Sequence, residues 1–298
     1  MRAPGTHGSD ARPTYPWPVR IDLHTHSVAS DGTDAPAALV AAAARAGLDV
    51  VALTDHDTTR GWAEAEAAVP VHGVALVRGA EISCLVDRMS VHLLSYLHDP
   101  EHAGLLEEGE RTREARLQRA RAMVDLIAED LDLTWADVEA QTVPGTTVGR
   151  PHIADALAAR GHVADRSAAF ATVLAAGSRY YVPHYAPDAA HAVRLVRAAG
   201  GVPVLAHPGA LVRGRILSDE AIGRLVDAGL AGIEVDHRDH DDAQRRRLAG
   251  IAAEAGLVVT GSSDYHGAGK PNVLGERTTS PEALEAIEDQ GRLPVVRP

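Results

Sequence analysis

The 298-residue sequence predicts an α/β fold, a barrel of seven strands joined by helices, and three observations carry that expectation. Short apolar runs ending in a polar or charged residue recur along the chain: VRIDLHTH, DVVALTDHD, VALVRGAEI, SVHLLSYL, VPVLAHP, AGIEVDH and LVVTGSSDYH. Alanine-rich segments with helical spacing lie between most of them, and strand alternating with helix implies a parallel sheet. The polar residues fall at the C-terminal end of nearly every run, where barrel enzymes gather their sites, so a barrel fits better than an open two-layer sheet.

Taken in order, residues 1–18 are rich in Pro and Gly and read as a disordered tail before a domain that begins near Val19. In DAPAALVAAAARAG, Asp34 is placed to cap a helix and Gly47 to stop it. The alternation then breaks. From Asp99 to Pro183, RTREARLQRARAMVDLIAEDL reads as a long amphipathic helix with its arginines on a solvated face. TWADVEAQ, GRPHIADALAARG and RSAAFATVLAAG follow with no strand among them. Residues 99–183 are therefore expected to be a helical insertion capping the mouth of a barrel formed by 19–98 and 184–298.

Composition narrows the function. A net charge of −12 argues against a surface that tracks long nucleic acid and leaves room for a local basic pocket. Lys270 is the sole lysine, which works against Schiff-base or carboxylated-lysine chemistry. The single cysteine, Cys84, excludes an intrachain disulfide framework and suits a reducing compartment. No signal-peptide core or membrane-length apolar run occurs, so a soluble cytoplasmic protein with no obligate protein partner is expected.

The strand ends carry the chemistry. His24 and His26, two apart on a strand, project to the same side, and neutral imidazole is the commonest protein ligand for transition metals. An isolated HxH pair is more often structural than ligating. Here, however, the neighbouring strand ends add Asp31, His56, Glu81, His92, His207, Asp264 and His266. Nine nitrogen and carboxylate ligands exceed what one ion needs, so two or three divalent cations are expected, with Glu81 as the natural bridge.

With those residues in place, DLHTHSVASDGT, ALTDHDT, GAEIS, VHLLSY, GRPHIADAL, LAHPG, GIEV and SSDYHG together resemble the PHP (polymerase and histidinol phosphatase) superfamily, in particular its stand-alone metal-dependent phosphoesterases. The resemblance runs from about Arg20 to Gly275 and implies a distorted seven-stranded barrel with a trinuclear centre. It implies one metal on His24, His26, Glu81 and Asp264, a second on Glu81, His92 and His207, and a third on Asp31, His56 and His266. Manganese is the first choice of metal, with iron and zinc as alternatives, because imidazole and carboxylate suit all three.

Within that resemblance GRPH marks the branch of 3′,5′-nucleoside bisphosphate phosphatases and enzymes acting on short RNA ends, which makes Arg150 and His152 candidate substrate contacts. The expected reaction is attack of a metal-bound hydroxide on a phosphate monoester, with Asp264, Glu81 and His207 as catalytic candidates. A 5′-3′ exonuclease on short RNA or DNA, a histidinol phosphatase and a noncatalytic metal-binding module are the alternatives. Several further residues keep the plainer role: Lys270 a surface loop lysine in preference to a phosphate contact, Cys84 a buried small residue, His184 unassigned, Asp55 or Asp57 a partner orienting His56, and Glu234, His237, Arg238 and His240 possible rim contacts.

Overall fold

The computed structural model describes residues 19–211 and 216–298, so the tail expected over 1–18 lies outside the described residues. Seven strands form one sheet in chain order: β1 (Ile21–Asp22), β2 (Val50–Leu53), β3 (Ala75–Val86), β4 (Met89–Tyr96), β5 (Val202–Ala206), β6 (Gly232–Asp236) and β7 (Val258–Gly261). Beyond the ends of the first and last strands, Thr25 bridges Tyr265 in parallel, and His26 N–H donates to the Tyr265 carbonyl at 2.8 Å. This contact draws the sheet into a distorted, nearly closed barrel. Alternate strand residues face opposite layers. Val50, Ala52, Ala75, Val77, Val202 and Val204 fill one core with Leu23 and Leu94, whereas Val51, Leu53 and Leu76 pack outward against α1 (Pro36–Arg45) and α2 (Trp62–His72).

The expectation of an all-parallel sheet needs one correction. β3 and β4 form a hairpin, and β4 runs antiparallel to both β3 and β5. Its turn has two residues, Asp87 and Arg88, with φ of 48° and 65°, the positive pair that suits a tight hairpin. The reversal matters for the site because it brings the beginning of β4 to the rim where the parallel strands end. His92 thereby sits opposite Ser83 and level with Ala206.

α1 also differs from expectation at its start. No side chain caps it, and Asp34 instead accepts a hydrogen bond from Tyr265 Oη at 2.9 Å, tying the loop after β1 to the loop after β7. Gly47 does end the helix, at φ +70°, a conformation an L side chain rarely adopts.

Residues 99–183 hold α3 (Ala103–Ile127), α4 (Trp135–Glu139), α5 (Arg150–Ala159) and α6 (Arg166–Ala171), with no strand among them. They enclose their own apolar core of Met123, Val124, Ile127, Ile153, Leu157 and Leu174 among others. α7 (Ala189–Ala198), α8 (Asp219–Asp227), α9 (Asp242–Ala255) and α10 (Pro281–Gln290) complete the outer layer.

Candidate metal centre

All nine residues anticipated as ligands meet at the C-terminal rim of the barrel, and Glu81 is their hub. Its Oε2 lies 3.2 Å from His24 Nε2, 3.1 Å from His26 Nε2 and 3.3 Å from His56 Nδ1. Its Oε1 lies 2.7 Å from His92 Nδ1 and 3.0 Å from His207 Nε2. Each oxygen therefore serves a different set of imidazoles, as a bridging carboxylate must. Asp264 Oδ1 adds contacts of 3.5 Å to both His24 and His26. Asp31 sits 3.3 Å from His266 Nε2 and 3.7 Å from His56 Nε2.

This donor set fits cations. Around an ion held at about 2.1 Å, neighbouring ligand atoms lie roughly 3.0 Å apart in an octahedron and roughly 3.4 Å apart in a tetrahedron. His24 Nε2 and His26 Nε2 stand 3.1 Å apart, and each lies 3.1–3.5 Å from Glu81 Oε2 and Asp264 Oδ1. The tautomers agree. His24 Nδ1 is paired with Glu234 Oε1 at 3.3 Å and His266 Nδ1 with the Asp264 carbonyl at 2.8 Å, so each neutral ring turns an Nε2 lone pair inward. A lone pair facing two carboxylate oxygens is repulsive unless positive charge lies between them. His56 Nδ1, His92 Nδ1 and His266 Nε2 are buried without a hydrogen-bond partner, although carboxylate oxygens stand nearby. The compatible groupings are His24, His26, Glu81, Asp264; His26, Asp31, His56, His266; and His56, Glu81, His92. Two features depart from the arrangement implied by resemblance: His26 and His56 are shared between groups, and His207 joins none of them, its Nε2 lying 3.0 Å from Glu81 Oε1.

Without ions, protons supply the positive charge at these atoms. Burial works against a charged His24 and His26, yet the neighbouring carboxylates outweigh it and hold His24 well above the usual imidazole value and His26 at about 9. Burial would raise Glu81 and Asp264, but the surrounding imidazoles, and Lys270 in the case of Asp264, hold both well below the usual carboxylate range. The rim is a negatively biased pocket that draws in positive charge.

β6 and the stretch after it support His207. Its backbone has φ +31°, and Asp264 and Asp57 are likewise left-handed at 55° and 53°, strain concentrated at strand ends that face the cluster. Glu234 Oε2 accepts from His207 N–H at 2.8 Å while its other oxygen orients His24. His240 donates to the Val235 carbonyl and accepts from Gly209 N–H at 3.1 Å, pinning the loop that carries His207. Glu234 and His240 are thus supports for ligands, not rim contacts. Asp55 and Asp57 do not orient His56: Asp55 binds Ser27 and Ser30, and Asp57 binds Ser83 and Arg116.

The arginines of α3 require the largest correction. Arg116 and Arg119 are each only 6% exposed and face the centre, not solvent. Arg116 Nη1 donates to Ser83 Oγ at 2.7 Å and lies 3.3 Å from Asp57 Oδ2. Arg119 Nη1 contacts His184 Nδ1 at 3.1 Å, which gives the unassigned His184 a partner. Burial, then Arg116 and Arg150, push Arg119 down to about 9, and burial with the same three arginines pushes His184 to about 3. Three guanidinium groups gather here, and Asp57 is the carboxylate that pairs with Arg116. The sequence held a signal for it: Thr112, Arg116 and Arg119 extend back, at helical spacing, the stripe of Ala120, Met123, Val124 and Ile127.

Arg150 opens α5 beside this cluster, with its guanidinium 5.3 Å from the Phe170 ring and 5.8 Å from the Tyr181 ring. Gly149 leaves room for the Arg116 guanidinium, since a Cβ there would stand 2.9 Å from Nη2 and that group would have to shift. His152 departs from its expected place as a substrate contact. Its Nδ1 accepts from Gly149 N–H at 3.1 Å and so caps the start of α5, while its Nε2 pairs with the Ser30 carbonyl at 2.9 Å and fastens the helix to the loop after β1. Lys270 is no idle surface lysine, since its Nζ donates to Asp264 Oδ2 at 2.9 Å.

Known proteins match this architecture. The PHP domain family matches residues 22–128. The chain is 35% identical over 259 residues to the 3′,5′-nucleoside bisphosphate phosphatase of Chromobacterium violaceum, covering 85% of this chain and 89% of that protein. It is 32% identical over 253 residues to a 5′-3′ exoribonuclease of Haemophilus influenzae, covering 83% and 90%. A crystal structure from Bifidobacterium adolescentis, assigned to the metal-dependent phosphoesterases, superposes with a TM-score of 0.90 at 45% identity over 92% of this chain and 98% of that one. The chain belongs to the PHP superfamily of metal-dependent phosphoesterases.

Proposed function

We propose that this protein hydrolyses the 3′-phosphate of 3′,5′-nucleoside bisphosphates, with the nine rim residues holding three divalent ions, manganese first and iron or zinc as alternatives. The observation that carries the reading is the buried arginine cluster beside the metal-ligand cluster: one site built for cations adjoins another built for an anion. When bound, the ions lower the pKa of water and neutralise the oxygens of an in-line displacement at phosphorus. The chain's own residues divide the remaining work. Arg116, Arg119 and Arg150 present fixed guanidinium donors to the phosphate that is not cleaved, and planar forks suit that group. His207 and Asp264, at the rim, are placed to hold or pass a proton at the scissile oxygen. The acidic whole, at −12, suits a short substrate that engages one basic pocket, and the buried Cys84 suits a cytoplasmic setting.

The similarity to the Haemophilus influenzae exoribonuclease favours a second reading, in which the scissile bond is a phosphodiester. The two reactions differ in one substituent on phosphorus. A 5′-phosphate anchored by arginines places the 3′-oxygen at the metals in both cases, and only the diester carries a further nucleoside. Phosphate release from a 3′,5′-bisphosphate should exceed release from the 5′-monophosphate at least about tenfold, the worth of one charge-assisted contact. Equal efficiency on the two rejects the anchored-phosphate reading. Release of mononucleotides from a 5′-phosphorylated oligonucleotide, without free phosphate from the bisphosphate, selects the exonuclease.

A further inference from the structure

His237 lies just after β6 and is fully buried against the centre, yet its ring is set differently from those of the proposed ligands. Nδ1 accepts from Asp239 N–H at 3.0 Å, so the neutral ring carries its proton on Nε2. His24 and His266 show the reverse order, Nδ1 engaged outward and Nε2 bare toward the cluster. A nitrogen that presents N–H cannot coordinate a cation through that atom. Nε2 of His237 has no hydrogen-bond partner. Its carboxylate contact, Asp264 Oδ2, stands 3.7 Å away, longer than a normal hydrogen bond, and already takes a hydrogen bond from Lys270 Nζ at 2.9 Å. A buried N–H held only by so long a contact is incompletely satisfied, so the position suits an acceptor that arrives with a ligand.

The surroundings specify that acceptor. The His237 ring meets the His207 ring edge-on at 5.4 Å, which places it beside an imidazole that contacts Glu81. Lys270, whose side chain is 31% exposed, approaches from the open side. Two donors, one of them cationic, thus converge at the margin of the ligand cluster. They lie on the β6–β7 arc of the barrel, whereas Arg116 is bound to residues of the β2–β3 arc. We infer that His237 and Lys270 donate hydrogen bonds to a phosphoryl oxygen of the group being hydrolysed, with His237 a substrate-contacting donor and not a tenth metal ligand. The inference rests on the phosphoesterase reading above and adds the residues that grip the scissile phosphate.

The test uses the full chain loaded with manganese and inorganic phosphate as the probe, with ion content by elemental analysis and phosphate affinity by calorimetry. His237→Ala should retain the parent's ion content while phosphate affinity falls about tenfold or more, the usual worth of a hydrogen bond to a charged acceptor. His237→Gln, which sets an amide N–H near the position of Nε2, should recover most of that loss. Lys270→Met should weaken phosphate binding as well. Loss of an ion in His237→Ala would make His237 a ligand and overturn the inference, as would unchanged phosphate affinity or the absence of recovery in His237→Gln. A metal-loaded parent that does not bind phosphate would overturn the phosphoesterase proposal itself, a result visible before any variant is made.

Discussion

The barrel rim and the inner face of the cap both bury charge, and they do so by opposite means. At the rim, six imidazoles surround Asp31, Glu81 and Asp264, groups that can exchange protons for cations. At the cap, Arg116 pairs with Asp57 and Arg119 with His184, and burial pulls the Arg119 guanidinium down only to about 9, so it stays charged near neutral pH. Buried ionic clusters of such unequal composition are poor devices for stability, because desolvation is costly on both sides. Their juxtaposition makes sense as two halves of one receptor, one for metal and one for phosphate.

The largest effect should come from breaking the rim. Glu81→Ala removes the atom pair that faces His24, His26 and His56 on one side and His92 and His207 on the other. At least one ion should be lost, measured by elemental analysis, and turnover should fall by about 10³-fold or more. Full activity with unchanged ion content would mean that Glu81 bridges nothing. Breaking the cap should cost less and in a different currency. Arg119→Ala or Arg150→Ala should lower kcat/KM for a bisphosphate about 10–100-fold, roughly 1.5–3 kcal/mol, while ion content stays at the parent level. If either variant sheds metal, the two regions are not separable and the cap is part of the metal site's scaffold.

How much of this contrast was legible in the sequence follows from the geometry of each region. The rim could be read because every ligand follows, or lies on, a short apolar run, and a strand delivers its end residues to one edge of the barrel. The hairpin hid in that pattern: SVHLL has the same apolar look in either direction, and two-residue turns of Asp and Arg lack the glycine that usually marks them. The cap was misread because a run of arginines on a helix resembles a solvated face. What distinguishes Arg116 and Arg119 is that they continue an apolar stripe, a pattern visible only when charged and apolar positions are counted together. His152 and Lys270 are hard to place for simpler reasons: the partner of His152 is a backbone carbonyl far away in sequence, and that of Lys270, though only six residues back, is met through an irregular loop with no periodicity to read.

A third buried imidazole isolates what the carboxylates contribute. His98 is 4% exposed, lies outside both regions and pairs with Ser95 Oγ at 2.8 Å. Burial depresses it to about 4, whereas His26, equally buried among carboxylates, stands at about 9. The unfolded chain takes up this proton near pH 6.5 and the folded protein resists it until about 4, so the contribution to stability is complete above 6.5 and declines as pH falls. At pH 5 the loss should be about 2 kcal/mol, from 1.36 kcal/mol per unit. His98→Asn retains a polar group near Nδ1 and cannot take the proton. The difference in unfolding free energy between parent and variant should therefore narrow or reverse from pH 7 to 5, and a constant difference would show that His98 titrates normally.

The smallest effect concerns the hairpin that delivers His92 from the reversed strand, and it asks whether the rim depends on strain in that turn. Arg88 is exposed with φ 65°, and Asp87 before it, at 48°, is held by Arg224 Nη2 at 2.6 Å. A non-glycine residue in the left-handed region costs roughly 1–2 kcal/mol, and glycine returns roughly 0.5–1 kcal/mol of that through its greater freedom in the unfolded chain. Arg88→Gly creates the Asp-Gly pair such turns favour, so a net gain of about 0.5–1 kcal/mol is expected, or a rise in Tm of about 1–4 °C. The β3–β4 register that sets His92 against Ser83 is fixed by eight residue pairs along the hairpin, not by the turn alone. Ion content and kcat should then be those of the parent. A variant that gains stability but loses an ion would show instead that turn strain tunes the position of His92, and the rim would extend to the tip of the hairpin.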